Sequence, residues 1–126
     1  MRTVEKWRNS LLSPCEHIID EITATFEVKE NFGITYKFGN MIATNKRLIL
    51  YTKFPLFGLR ETTVYHYEEI IRIDVVKSLF SFHNGVSVAV KLVNKGNTKL
   101  FLETIKLFSN HAPGIRNFQQ SDRDVL

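Results

Sequence analysis

The run from Gly39 to Thr52 constrains the fold of this chain more than any other stretch. Two β-prone segments, Met41 to Thr44 and Leu48 to Thr52, flank a polar turn centred on Asn45 and Lys46. Asn accepts positive φ better than almost any other non-glycine residue, so the spacing predicts a two-residue hairpin turn. Strand signals continue on both sides of it. Ile22 to Lys29 is β-branched and aromatic, Asn31-Phe32-Gly33 reads as a turn, and Ile34 to Phe38 reads as a short strand before Gly39-Asn40.

Downstream, Thr62 to Tyr67 and Ile70 to Lys77 are two further strands. In the second, Ile71, Ile73 and Val75 alternate with Arg72 and Asp74, the pattern of a sheet with one wet face. His83-Asn84-Gly85 turns the chain into the cleanest alternation, with Val86, Val88, Val90 and Leu92 expected to face one way. Asn94-Lys95-Gly96-Asn97 then leads into Thr98 to Ile105, read as a last strand. About seven short strands at roughly 8–12-residue spacing describe an antiparallel barrel or sandwich rather than a parallel α/β sheet.

Helical signals are confined to the ends. Val4, Trp7 and Leu11 fall at helical spacing. Ser13-Pro14-Cys15-Glu16 reads as a helix start with a capping box, placing Cys15, Ile18, Ile19 and Ile22 on one face. Leu107, Phe108 and His111 could begin a closing helix limited by Pro113-Gly114, and Gln119 to Leu126 is a polar tail. The expected organisation is an N-terminal segment over 1–12, one domain over 13–112 and a tail over 113–126.

A chain of 126 residues suits one domain. The single cysteine, Cys15, excludes an intramolecular disulfide and a thiolate metal cluster, and it reads as a small buried hydrophobe. No run approaches the roughly 18 apolar residues that span a bilayer, and no signal-peptide core follows Met1. A cytoplasmic location is the expectation. The net charge is only +4, but from Met41 to His66 four cations stand against Glu61 alone, a local surplus of +3. Such a segment can be a solvated rim, or it can attract phosphate, acidic protein or an anionic membrane.

Chemistry is hard to find in these residues. His17, His66, His83 and His111 lie in different elements, and only Cys15-Glu16-His17 clusters ligand types, on neighbouring positions that point apart. No nucleophile elbow or phosphate-binding glycine loop occurs. Glu68-Glu69 would point to opposite faces of a strand. No catalytic residue, metal or cofactor is expected.

The positive signal is the loop Lys53-Phe54-Pro55-Leu56-Phe57-Gly58-Leu59-Arg60, apolar where loops are normally polar and bracketed by cations. Such a loop can enter an anionic membrane shallowly or dock on a partner, and it can equally plug an open barrel end. A second apolar turn, Ser78-Leu79-Phe80-Ser81-Phe82, is expected nearby. The candidate binding residues are therefore Lys53, Phe54, Leu56, Phe57 and Arg60, with Lys46, Arg47, Phe80 and Phe82. Basic residues sit mainly at turns and no RNA-binding motif is present, which argues against nucleic acid.

The stretch Asn40-Met41-Ile42-Ala43-Thr44-Asn45-Lys46-Arg47-Leu48-Ile49-Leu50-Tyr51 resembles the "ATNKRLIF" hairpin of bacterial PH-like domains, the YokE-like group especially, and the "TN-R-L" hairpin of related GRAM domains. Tyr67-Glu68-Glu69-Ile70 is similar to the motif that opens the family's next strand, and the likeness covers roughly residues 13 to 106. The resemblance implies a PH-like barrel of seven antiparallel strands in two near-orthogonal sheets, with short flanking helices. It also implies a scaffold that binds phospholipid, peptide or protein, or that builds oligomers. Lys29 and Lys37 are present without the tight basic cluster of phosphoinositide-binding members, so that ligand is not expected. The resulting expectation is a non-enzymatic binding module for a protein partner, itself included, with an anionic membrane surface as the alternative and a small-ligand protein or enzyme as a lesser one.

Overall fold

Burial along Ile18 to Glu30 alternates strictly from residue 21 to residue 28, with Ile22, Ala24, Phe26 and Val28 pointing into the core. That is the period-two signature of a strand packed on one face. The computed structural model describes residues 11–54 and 58–110. Its strands are β1 (Ile18–Glu30), β2 (Gly33–Thr44), β3 (Leu48–Phe54), β4 (Leu59–Tyr65), β5 (Ile70–Asp74), β6 (Leu79–Phe82) and β7 (Ser87–Lys95). A 3₁₀ turn at Tyr67–Glu69 joins β4 to β5, and helix α1 (Thr98–Asn110) follows β7.

All neighbouring strands pair antiparallel in one sheet of order β4-β3-β2-β1-β7-β6-β5, curled into a half-barrel around α1. The inner face collects Phe26, Met41, Leu48, Leu50, Phe80 and Val88, and α1 inserts Phe101, Leu102 and Ile105, all at or below 1% exposure. Fully burying each such side chain contributes about 1.5–3 kcal/mol. Aromatic stacking of Tyr65 on Phe82 (4.8 Å) and Tyr67 on Phe108 (5.2 Å) joins the end strand β4 to β6 and the helix to the 3₁₀ turn.

Several expectations from the sequence need correction. The helix expected over residues 13–22 is a turn at 14–15 followed directly by β1. Ser13 and Glu16 do meet, but across that turn, where the Glu16 N–H donates to the Ser13 carbonyl at 3.1 Å and Cys15 takes φ 65. Cys15 is exposed, not buried. The strand expected at Thr98 to Ile105 is the first two turns of α1. Asn97 caps it by accepting the Leu100 N–H at 3.0 Å, and the buried positions 101, 102 and 105 follow the helical period. Leu79 to Phe82 is the strand β6 rather than an apolar turn, so Phe80 (0% exposed) and Phe82 (3%) are core residues and not part of a binding patch. The β2–β3 turn does centre on Asn45 and Lys46, with Ala43 paired to Leu48 and the Thr44 N–H donating to the Arg47 carbonyl, but Asn45 does not take positive φ.

Two strand irregularities set what faces outward. Ile34 to Thr44 is one strand rather than two, because Gly39 lets β3 approach. A Cβ there would stand 2.0 Å from the Tyr51 carbonyl oxygen and 2.9 Å from the Thr52 Cα. In β7, the register with β1 slips between Phe26↔Val90 and Thr25↔Leu92, so Leu92 is turned out of the core that Val88 and Val90 occupy.

Gly39→Ala is therefore expected to force the β2–β3 backbones apart and to cost about 2–3 kcal/mol, read as a lowered midpoint in urea unfolding. A wild-type midpoint would show that the two strands separate locally at no cost.

Candidate functional site

The residues of the β2–β3 turn act on the chain before β1. The Arg47 guanidinium donates through Nε to Glu16 Oε2 (2.9 Å), and through Nη2 to Glu16 Oε1 (3.1 Å) and the Leu11 carbonyl (2.8 Å). Thr44 Oγ1 donates to Glu16 Oε2 at 2.6 Å and accepts the Lys46 and Arg47 N–H groups. Asn45 accepts the His17 N–H and donates to the Cys15 carbonyl, while Lys46 Nζ reaches the Pro14 carbonyl at 3.2 Å. Lys46 and Arg47, read from the sequence as candidate binding residues, are thus spent on holding residues 11–17 against the hairpin.

Burial pushes the Glu16 carboxyl up, but the Arg47 guanidinium, the Ser13 N–H and the Thr44 and Ser13 hydroxyls outweigh it and hold the group down at about 2. Burial likewise drives the Tyr65 hydroxyl up to about 12 and the Tyr67 hydroxyl higher still, the latter donating to the Thr44 carbonyl at 2.6 Å. Each strongly shifted group is engaged in holding the fold. Among the described residues no group of His, Cys, Asp and Glu is placed to hold a metal ion.

Of the loop residues, Lys53 and Arg60 are exposed and paired across β3 and β4. The side chain of Phe54, and Leu56 and Phe57 altogether, lie outside the described residues, as do His111 and Pro113-Gly114.

The structure adds a surface that the sequence reading passed over, the outer face of the sheet. On β2, Ile34 (53% exposed), Tyr36 (63%) and Phe38 (50%) share this face, while Met41 and Ala43 point inward. The register runs Tyr36 against Glu27 and then Ala89, and Phe38 against Thr25 and then Leu92, itself 69% exposed. One step beyond the last β2–β3 pair, Gly39↔Thr52, Lys53 takes the position opposite Phe38, with Arg60 next to it. Farther along the same face Ile42, Ile49 and Tyr51 are buried, so the open part begins at Phe38. At the tip of the β1–β2 hairpin, Phe32 is fully exposed.

The stripe is polarised by charge. The Tyr36 hydroxyl donates to Glu27 Oε2 at 2.8 Å, which holds the Glu27 carboxyl below and the Tyr36 hydroxyl above their ordinary values. Lys91 Nζ lies 3.7 Å from Glu27 Oε1. Around this pair is a shallow recess of about 360 Å³ lined by Lys29, Lys77 and Lys91 together with Leu79 and Ala89. A sequence signal for the stripe does exist. Apolar residues occupy 34, 36 and 38 but then 41 and 43, a change of phase across Gly39-Asn40 that moves them from the outer face to the inner one.

A family model described as Bacterial PH domain matches residues 12–121. No curated protein matches the chain.

The depressed Glu16 group sets an acid response. Its contribution to stability is complete above its ordinary value of 4.5 and is lost as the pH falls toward about 2. Urea unfolding at about pH 6 and about pH 2.5 is expected to show the wild type losing roughly 2–3 kcal/mol more than Glu16→Gln. Parallel losses would mean that the carboxylate is not held by Arg47 in solution.

Proposed function

This chain belongs to the bacterial PH domain family, and we propose that it works within that family as a non-enzymatic module that binds protein through the outer face of its sheet. The observation that carries this reading is the stripe Ile34-Tyr36-Phe38, joined by Leu92. Four large apolar side chains are held in register on rigid strands and left at least half exposed. Contiguous exposed apolar area of this kind marks interaction sites, and aromatic residues on a rigid backbone bind with little loss of side-chain freedom.

A non-catalytic role is supported by how the unusual titrating groups are used. The strongly shifted groups Glu16, Tyr65 and Tyr67 are each explained by an ion pair or by burial in the core, and the smaller shifts of Glu27 and Tyr36 on the open face by the hydrogen bond between them. Self-association is one form of the proposal, since a two-fold contact would bring two copies of the stripe together.

A second reading has its own support. Lys53 and Arg60 stand side by side at the end of the β3–β4 hairpin, where anionic lipid could meet them. Among the described residues no helix is long and apolar enough to cross a membrane, so contact of this kind would be peripheral.

The deciding experiment compares the wild type with Tyr36→Ser/Phe38→Ser and with Lys53→Gln/Arg60→Gln, using light scattering after size exclusion, affinity capture and vesicle flotation. The stripe variant is expected to lose the partner or the self-association while its melting temperature stays within a few degrees of wild type. Capture that survives the stripe variant would refute the outer-face reading. Flotation on anionic vesicles that only the Lys53/Arg60 variant abolishes would establish the membrane reading instead.

A further inference from the structure

The open outer face carries more than apolar area. Lys29, Lys77 and Lys91 wall the recess on one side of the stripe, Lys53 and Arg60 stand on the other, and Glu27 is the one anion among these residues. Glu27 is already engaged by the Tyr36 hydroxyl and faces Lys91. The face therefore has a surplus of positive charge interleaved with apolar side chains. Along β2, successive outward side chains are spaced by two residues, about 6.8 Å at the rise of a β-strand. An extended peptide has the same period, so its alternate side chains can follow Ile34, Tyr36 and Phe38 one for one.

We propose that this face receives an extended, acidic and partly apolar segment of a protein partner, seating a carboxylate in the Lys29–Lys77–Lys91 recess and apolar side chains on Ile34, Tyr36 and Phe38. The inference rests on the protein-binding reading above and names the chemistry of the partner. Two features favour a peptide over the other anionic macromolecules. The recess is lined by Leu79 and Ala89 beside the lysines, so a single projecting side chain meets apolar contact and cations together there. The Glu27 carboxylate sits among the lysines, where a continuous phosphate backbone would meet its charge but a single carboxylate can pair with Lys29 and Lys77. Charge pairs at a partly exposed site steer association and select the partner more than they add affinity, so binding should weaken with salt.

The test uses fluorescence polarisation with three probes: a labelled decapeptide alternating Glu with Leu and Phe, the same peptide with Gln for Glu, and a labelled thymidine oligonucleotide. Phosphatidylglycerol vesicles are run in parallel. The wild type is expected to bind the acidic peptide at least tenfold more tightly than the Gln peptide, with the preference shrinking as salt rises. Lys29→Gln/Lys77→Gln should lower affinity for the acidic peptide at least tenfold and leave the Gln peptide unchanged. Tyr36→Ser/Phe38→Ser should weaken both peptides. Equal affinity for the two peptides, both lost in the stripe variant, overturns the carboxylate recess and leaves the protein-binding reading standing. Binding of neither peptide, or tighter binding of the oligonucleotide or the vesicles, overturns the acidic-segment proposal. Thermal melts of each variant matched to wild type ensure that a lost signal reports the surface and not the fold.

Discussion

The Glu16 carboxylate is the point on which the N-terminal half of the molecule depends. Its two oxygens accept from the Arg47 guanidinium, the Thr44 hydroxyl, and the Ser13 N–H and hydroxyl, so a charge with no exposed side-chain surface is fully paired. A buried ion pair is a modest source of net stability, because desolvation cancels much of the attraction. Its value lies in geometry. It fixes where the chain enters β1 relative to the β2–β3 turn, and β1 pairs with both β2 and β7 at the centre of the sheet. The same turn supplies the Thr44 carbonyl that receives the Tyr67 hydroxyl, which ties the 3₁₀ turn and, through Phe108, the helix to the same place.

Most of the strand framework was legible in the sequence, because period-two alternation reports burial directly. Ile22 to Val28 shows that alternation, and Leu48 to Thr52 is instead an unbroken β-prone run that is buried on both faces. The errors fall where a short pattern serves two purposes. Ser13-x-x-Glu16 has the composition of a helix start, yet its carboxylate is claimed by Arg47, a residue 31 positions away that local reading cannot bring in. Thr98 to Ile105 is rich in β-branched and aromatic residues, but Asn97 caps it and the sheet needs a cover that only a helix with Phe101, Leu102 and Ile105 on one face provides.

The interaction surface was harder to see for a related reason. Ile34, Tyr36 and Phe38 alternate like core residues, and alternation alone does not say which face is the wet one. Only the register, anchored by Met41 and Ala43 in the core, places them outside. Phe80 and Phe82 show the converse, apolar residues on either side of Ser81 that the pairing of β6 with β5 and β7 draws inward. The candidate cations divided in the same way: Arg47 and Lys46 went to backbone and carboxylate partners within the chain, while Lys53 and Arg60 stayed on the surface beside Phe38.

The order of the strands has one more consequence. Among the described residues the sheet ends at β4 and β5, so its two borders there are strands of seven and five residues. The β5 border is interrupted by a register shift between Ile70 and Arg72, and the β4 border carries Arg60 and Glu61. Short, kinked or charged margins discourage a passing strand from adding itself through backbone hydrogen bonds, the contact that indifferently templates aggregation. With that unselective route made unattractive, what this molecule holds would be chosen by the chemistry of its side chains.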